Sequence, residues 1–72
     1  MIRIKIVWDK EADVWIATSD DIKGLVLESS SLDALIERVK YAVPELIELS
    51  SKSNYTDISL DFKIERQDRI IA

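Results

Sequence analysis

The chain has 72 residues, 33% of them charged and 47% hydrophobic, with a formal net charge of −4. This balance and length are typical of one small folded domain, so we predict a single domain over residues 1–72. The sequence has no cysteine and no histidine, which excludes disulfides, thiolate nucleophiles, Cys/His zinc sites and histidine acid–base catalysis.

Charge and hydropathy also bear on partners and location. An acidic chain without a basic cluster is a poor ligand for nucleic acid or anionic membranes, so we expect it to bind neither. No apolar run approaches the ~20 residues of a membrane-spanning helix, and the N-terminus has no signal-peptide pattern. The lack of cysteine fits a reducing compartment, and we expect a cytoplasmic protein.

The first half of the sequence predicts three strands and two turns. Residues 2–8 predict a strand with one buried face, because apolar side chains alternate with Arg3 and Lys5 until Val7 breaks the pattern. Residues 13–19 are apolar on both faces, as in a central strand. Asp9 suits the first position of the turn between them. Gly24 can adopt positive φ in the turn before a short strand over residues 25–28.

The second half predicts one amphipathic helix, a polar loop over residues 50–56 and a strand over residues 57–65. Ser30 suits the helix N-cap, and Asp33 is favourable in the first turn. Pro44 removes a backbone hydrogen bond from a helix interior, so we expect the helix to be kinked or broken just before it. The apolar residues of the helix follow three–four spacing and form one stripe: Leu32, Leu35, Ile36, Val39, Val43, Leu46 and Ile47.

The element order is therefore β-β-β-α-β, an α+β fold. A right-handed crossover through the helix places the fourth strand parallel to the first, which is its natural neighbour. We predict a four-stranded mixed sheet of order 3-2-1-4 with the helix on one face. A domain this small buries little apolar surface by itself, and association with further copies of the chain would cover the other face of the sheet. We therefore expect a homo-oligomer, either a dimer or a tetramer.

Carboxylates are the only groups in this sequence suited to catalysis. Several of them converging on a sheet could bind Mg²⁺ and cleave phosphodiesters, so a metal-dependent nuclease is one alternative. Each aspartate also suits a turn, a helix first turn or a solvent-exposed strand face, so we expect no catalytic residue, metal site or cofactor. The residues concerned are Asp9, Asp13, Asp20, Asp21, Asp33, Asp57 and Asp61.

The two tryptophans are candidate binding residues. Trp8 and Trp15 flank the first turn and can meet across the hairpin. Aromatic side chains are common anchors at protein interfaces, although large aromatics in a small domain also fill the core. We expect at least one indole to lie at an interface.

Three segments resemble a family of small prokaryotic proteins of undefined function. They are residues 9–25 (DKEADVWIATSDDIKGL), residues 28–35 (ESSSLDAL) and residues 43–46 (VPEL). The match extends to about Ser50 and departs at Lys23, where the family usually has proline, which should loosen the loop without changing the fold. The family is similar to HicB antitoxins. This similarity implies a HicB-like, partial RNase H fold that lacks the catalytic residues of the nuclease.

The resemblance implies a non-enzymatic protein-binding module with an antitoxin-like role. HicB proteins bind HicA, a small basic toxin that cleaves mRNA, and an acidic chain suits such a partner. Only about seven residues follow the last predicted strand, too few for the DNA-binding segment of many HicB proteins, so we expect no DNA binding. An orphan oligomeric scaffold domain is the alternative. We expect a partner to contact the hairpin and the acidic loop through Trp8, Glu11, Trp15, Asp20 and Asp21.

Overall fold

A computed structural model describes residues 1–51 and 57–71. Its elements in chain order are β1 (Ile2–Asp9), β2 (Val14–Thr18), β3 (Val26–Ser29), α1 (Leu32–Ser51) and β4 (Leu60–Glu65). The predicted β-β-β-α-β order is confirmed. The predicted loop over residues 50–56 is helical at its first two positions, and residues 52–56 lie outside the described part of the chain.

The four strands form one mixed sheet of order β3-β2-β1-β4, as predicted. β1 pairs antiparallel with β2 and parallel with β4, and β2 pairs antiparallel with β3. A short turn is enough to join antiparallel neighbours, whereas the parallel pair requires the long crossover that α1 provides. β3 and β4 are the two edge strands.

The strand register assigns each side chain to one of two faces, because directly opposed residues share a face. The face toward α1 is almost entirely apolar and carries Ile2, Ile4, Ile6, Trp8, Trp15, Ala17, Leu27, Leu60, Phe62 and Ile64. The opposite face, which we call the helix-free face, has no helix on it among the described residues. It carries Arg3, Lys5, Val7, Asp9, Val14, Ile16, Thr18, Val26, Glu28, Asp61, Lys63 and Glu65.

The hydrophobic core lies between the sheet and α1. Ile4 and Ile6 of β1 are at most 1% exposed, and they share one cluster with the fully buried Leu35, Val39 and Val43 of α1. Burying each such side chain contributes about 1.5–3 kcal/mol. Every position of the predicted helix stripe is buried or half-buried, which confirms the stripe.

α1 is one continuous helix with Pro44 inside it, so of the kink or break expected before Pro44 the break is wrong, and the kink stays a prediction. Pro44 cannot donate a hydrogen bond to the carbonyl of Lys40, but both residues are exposed, so water can hydrate that carbonyl. Val43 and Ile47 are buried in the core, and they lie on one stripe with Val39 only if the helix continues. Packing of this stripe therefore outweighs the local cost of proline.

Serine side chains organise the start of α1. The Ser31 Oγ accepts a hydrogen bond from the backbone N–H of Ala34 at 3.2 Å, which identifies Ser31 as the N-cap. The Ser29 Oγ accepts one from the N–H of Ser31 at 3.1 Å. The predicted cap at Ser30 is wrong, because the helix begins at Leu32 and its cap is the residue immediately before it.

Both predicted turns are present. The Asp9 Oδ1 accepts a hydrogen bond from the N–H of Glu11 at 3.0 Å, as expected for the first residue of this turn. Asp13 closes the hairpin with φ of 55°, a left-handed conformation that aspartate tolerates better than most residues. Gly24 has φ of 88°, which confirms the positive-φ turn before β3.

The molecule is elongated. Its principal extents are 53 × 20 × 19 Å and its radius of gyration is 13.8 Å, compared with about 11 Å for a compact chain of this length. None of the helical segments described is both long and apolar enough to span a membrane.

Candidate functional site

The two indoles pack against each other at the hairpin end of the sheet. Trp8 and Trp15 are direct partners in the β1–β2 register. Their ring centres lie 5.1 Å apart with an interplanar angle of 62°, an edge-to-face arrangement that aromatic pairs favour. This confirms that the two tryptophans meet across the hairpin.

Arg66 lies over both indoles from the end of β4. Its guanidinium carbon is 4.3 Å from the ring centre of Trp8 and 5.6 Å from that of Trp15. Its Nε donates a hydrogen bond to the Asp68 Oδ2 at 2.8 Å, which orients the guanidinium. Arg66 was not among the residues predicted from the sequence, because only the parallel pairing of β4 with β1 brings it to the hairpin end.

The indoles therefore belong to the helix side of the sheet. Both are half-buried, and Trp15 packs against the core. Their role as interface anchors stays a prediction. Arg66 covers one side of the two indoles, so a partner on that side would contact Arg66 first.

The five residues predicted to contact a partner lie toward the two opposite ends of β2. Glu11 is exposed in the hairpin loop beside the indoles, whereas Asp20 and Asp21 follow the opposite end of β2. The five residues of β2, about 16 Å at ~3.3 Å per residue, separate the two groups. A protein interface of standard size, about 800 Å² on each partner, is wide enough to cover this distance, so a partner that extends along β2 can contact both groups.

Asp21 has a structural role in the loop after β2. Its Oδ2 accepts a hydrogen bond from the N–H of Arg3 at 2.9 Å. The Ser19 Oγ donates to the carbonyl of Arg3 at 2.6 Å and accepts from the N–H of Asp21 at 3.0 Å. These bonds attach the loop to the start of β1. Asp20 is exposed, so its carboxylate remains accessible.

The helix-free face is divided into two halves of different charge. The half near the start of β1 is mainly basic, with Arg3, Lys5 and Lys63 beside Asp61. The half near the hairpin has an apolar centre with carboxylates around it, and we call it the acidic half. Its members are Val7, Val14, Ile16, Asp9, Glu28 and Glu65. Val7 is 37% exposed, so this apolar centre is accessible to a partner.

The carboxylates named in the sequence analysis are dispersed. Asp9 and Asp13 lie at the hairpin, Asp33 in the first turn of α1, and Asp61 on β4. Within residues 1–51 and 57–71, no three acidic side chains come close enough together to hold a metal ion.

Comparison with known proteins identifies one family and one similar solved structure. A family model described as "Domain of unknown function (DUF1902)" matches residues 1–72. The fold is similar to that of the hypothetical protein TTHA1013 from the extremely thermophilic bacterium Thermus thermophilus. The TM-score is 0.72 and the sequence identity 30%, over 97% of this chain and 96% of that chain. No curated protein has a significantly similar sequence.

Proposed function

Because the chain belongs to the DUF1902 family of unknown function, we propose a function from its surface. We infer that it is a non-enzymatic protein-binding domain that neutralises a small basic, RNA-cleaving toxin in the cytoplasm, as HicB antitoxins do. The observation that supports this proposal best is the acidic half of the helix-free face.

The acidic half suits a basic protein partner. An apolar centre within a charged rim is the usual composition of a protein interface. Val7, Val14 and Ile16 supply the centre, and Glu28 and Glu65 lie beside it on the neighbouring strands. Carboxylates in the rim accelerate association with a basic partner and disfavour acidic ones, and the net charge of −4 acts in the same direction.

The hairpin enlarges this surface. Asp9 lies at the end of the acidic half, and Glu11 adds an exposed carboxylate in the adjoining loop. Trp8 and Trp15 would contact a partner that also covers the hairpin end. Asp20 and Asp21, at the opposite end of β2, would be reached only by a partner that spans the sheet.

A growth assay tests the proposal. Any small basic protein that is found to be encoded beside the gene for this chain is expressed alone and then together with the chain. We expect growth arrest in the first case and restored growth in the second. The double variant Glu28→Lys/Glu65→Lys should fail to restore growth, because it makes the acidic half repel a basic partner.

The matched control is the double variant Glu45→Lys/Asp57→Lys, which makes the same two charge reversals at exposed positions on α1 and before β4, away from the acidic half. It should restore growth as the unmodified chain does, and circular dichroism should show that all variants fold. A neighbouring protein without toxicity would contradict the antitoxin role and favour the oligomeric scaffold. Full rescue by the double variant would contradict the acidic half as the contact surface.

A further inference from the structure

Within residues 1–51 and 57–71, β4 has a neighbouring strand on one side only, so its outer side is open for pairing. The N–H of Ile2 donates to the carbonyl of Ser59 at 2.9 Å, and Ile2 lies opposite Leu60 in the register. Because Ser59 bonds to β1, the alternate residues Leu60, Phe62 and Ile64 have their backbone N–H and C=O groups pointing away from β1. These backbone groups can bond to a further strand.

We propose that β4 pairs antiparallel with β4 of a second copy, across a two-fold axis at Phe62. The two four-stranded sheets then form one continuous sheet with both helices on the same face. The inference does not rest on the function proposed above, because it uses the edge of the sheet and not the acidic half.

Cross-strand charges support the Phe62 register. With Phe62 on the axis, Asp61 lies opposite Lys63 of the second copy, and the same pair occurs again on the other side. Both side chains are on the helix-free face. On the other face, Leu60 lies opposite Ile64 of the second copy, so apolar residues face apolar residues.

Other registers are less favourable. An axis at Lys63 places Lys63 opposite itself and Asp61 opposite Glu65, so like charges face each other at every one of these positions on the helix-free face. An axis at Ile64 pairs Lys63 with Glu65, but it places Phe62 opposite Arg66, which lies beyond the end of β4. The axis at Phe62 combines opposite charges with the longer overlap of the two strands.

The same edge carries apolar surface that the described part of the chain leaves uncovered. A groove of about 400 Å³ opens between α1 and β4 and is lined by Lys40, Val43, Pro44, Ile58, Leu60 and Phe62. Ile64, on the same face of the sheet, is 43% exposed. In the proposed dimer, Ile64 of the second copy lies beside Leu60 at this groove. Pairing therefore buries apolar surface in addition to forming hydrogen bonds between the two edge strands.

Charge-reversal variants test the pairing and its register. Sedimentation velocity across a concentration series should show a dimer for the unmodified chain. Lys63→Glu and Asp61→Lys each place like charges opposite each other at both Asp61–Lys63 positions. Each variant should therefore weaken the dimer at least about tenfold. An equimolar mixture of the two variants restores opposite charges at both positions, and native mass spectrometry should detect the heterodimer.

Glu28→Lys is the control, since it reverses a charge on the helix-free face but on β3, at the other side of the sheet from β4. It should leave the dimer unchanged, whereas it would weaken a dimer formed through the helix-free face. Heterodimer formation requires both variants to be folded, so it separates lost pairing from lost folding. A chain that stays monomeric, variants that dimerise as the unmodified chain does, or a mixture without heterodimer would each overturn the proposal.

Discussion

Replacing Pro44 with alanine should stabilise the protein, because alanine restores the hydrogen bond that a continuous α1 lacks. The new backbone N–H at position 44 lies where it can donate to the carbonyl of Lys40. The side chain of Pro44 is exposed, so its truncation removes little packing.

The structure sets bounds on this gain. One added hydrogen bond contributes about 1 kcal/mol net, and the full difference in helix propensity between proline and alanine is about 3 kcal/mol. We therefore expect the free energy of unfolding to rise by about 1–3 kcal/mol. For a domain of this size, about 1 kcal/mol corresponds to an increase in Tm of about 4–8 °C.

Chemical denaturation followed by circular dichroism measures the change, at one chain concentration for every variant because association alters apparent stability. Hydrogen exchange should show that the new amide is protected. Glu45→Ala, an exposed neighbour on the same helix, is the control and should change stability by less than about 0.5 kcal/mol. If Pro44 instead began a second helix, Pro44→Ala would give no gain and no protected amide, and the continuous helix would be refuted.

Three further substitutions probe single contacts, each measured by chemical denaturation. Ser31→Ala should lower the free energy of unfolding by about 1 kcal/mol, whereas Ser30→Ala should change it by less than about 0.5 kcal/mol. Equal effects would contradict the assigned N-cap. Arg66→Ala should cost about 0.5–1 kcal/mol and shift indole fluorescence to longer wavelength, while Arg69→Ala should not. Unchanged emission would contradict the stacking. Ser19→Ala should cost about 1–2 kcal/mol, because its hydroxyl bonds the loop after β2 to β1, and a neutral result would contradict that role.

Local patterns in the sequence predicted the elements and their order. The alternation in β1 and the three–four spacing of the helix stripe reflect which side chains are buried, and burial is the dominant favourable term in folding. The single crossover then left few topologies, and the strand order 3-2-1-4 followed from chain connectivity. The contact between Trp8 and Trp15 was also predictable, because both flank one short turn.

Other features depend on residues distant in sequence, and only the tertiary structure decided them. Arg66 stacks on Trp8 because β4 pairs in parallel with β1, and that register cannot be read from either segment alone. α1 continues through Pro44 because the core buries Val43 and Ile47, a gain that local propensity does not include. The same distinction separates Glu11 from Asp20 and Asp21. Sequence showed that all three are acidic, but the length of β2 placed them at opposite ends of the sheet.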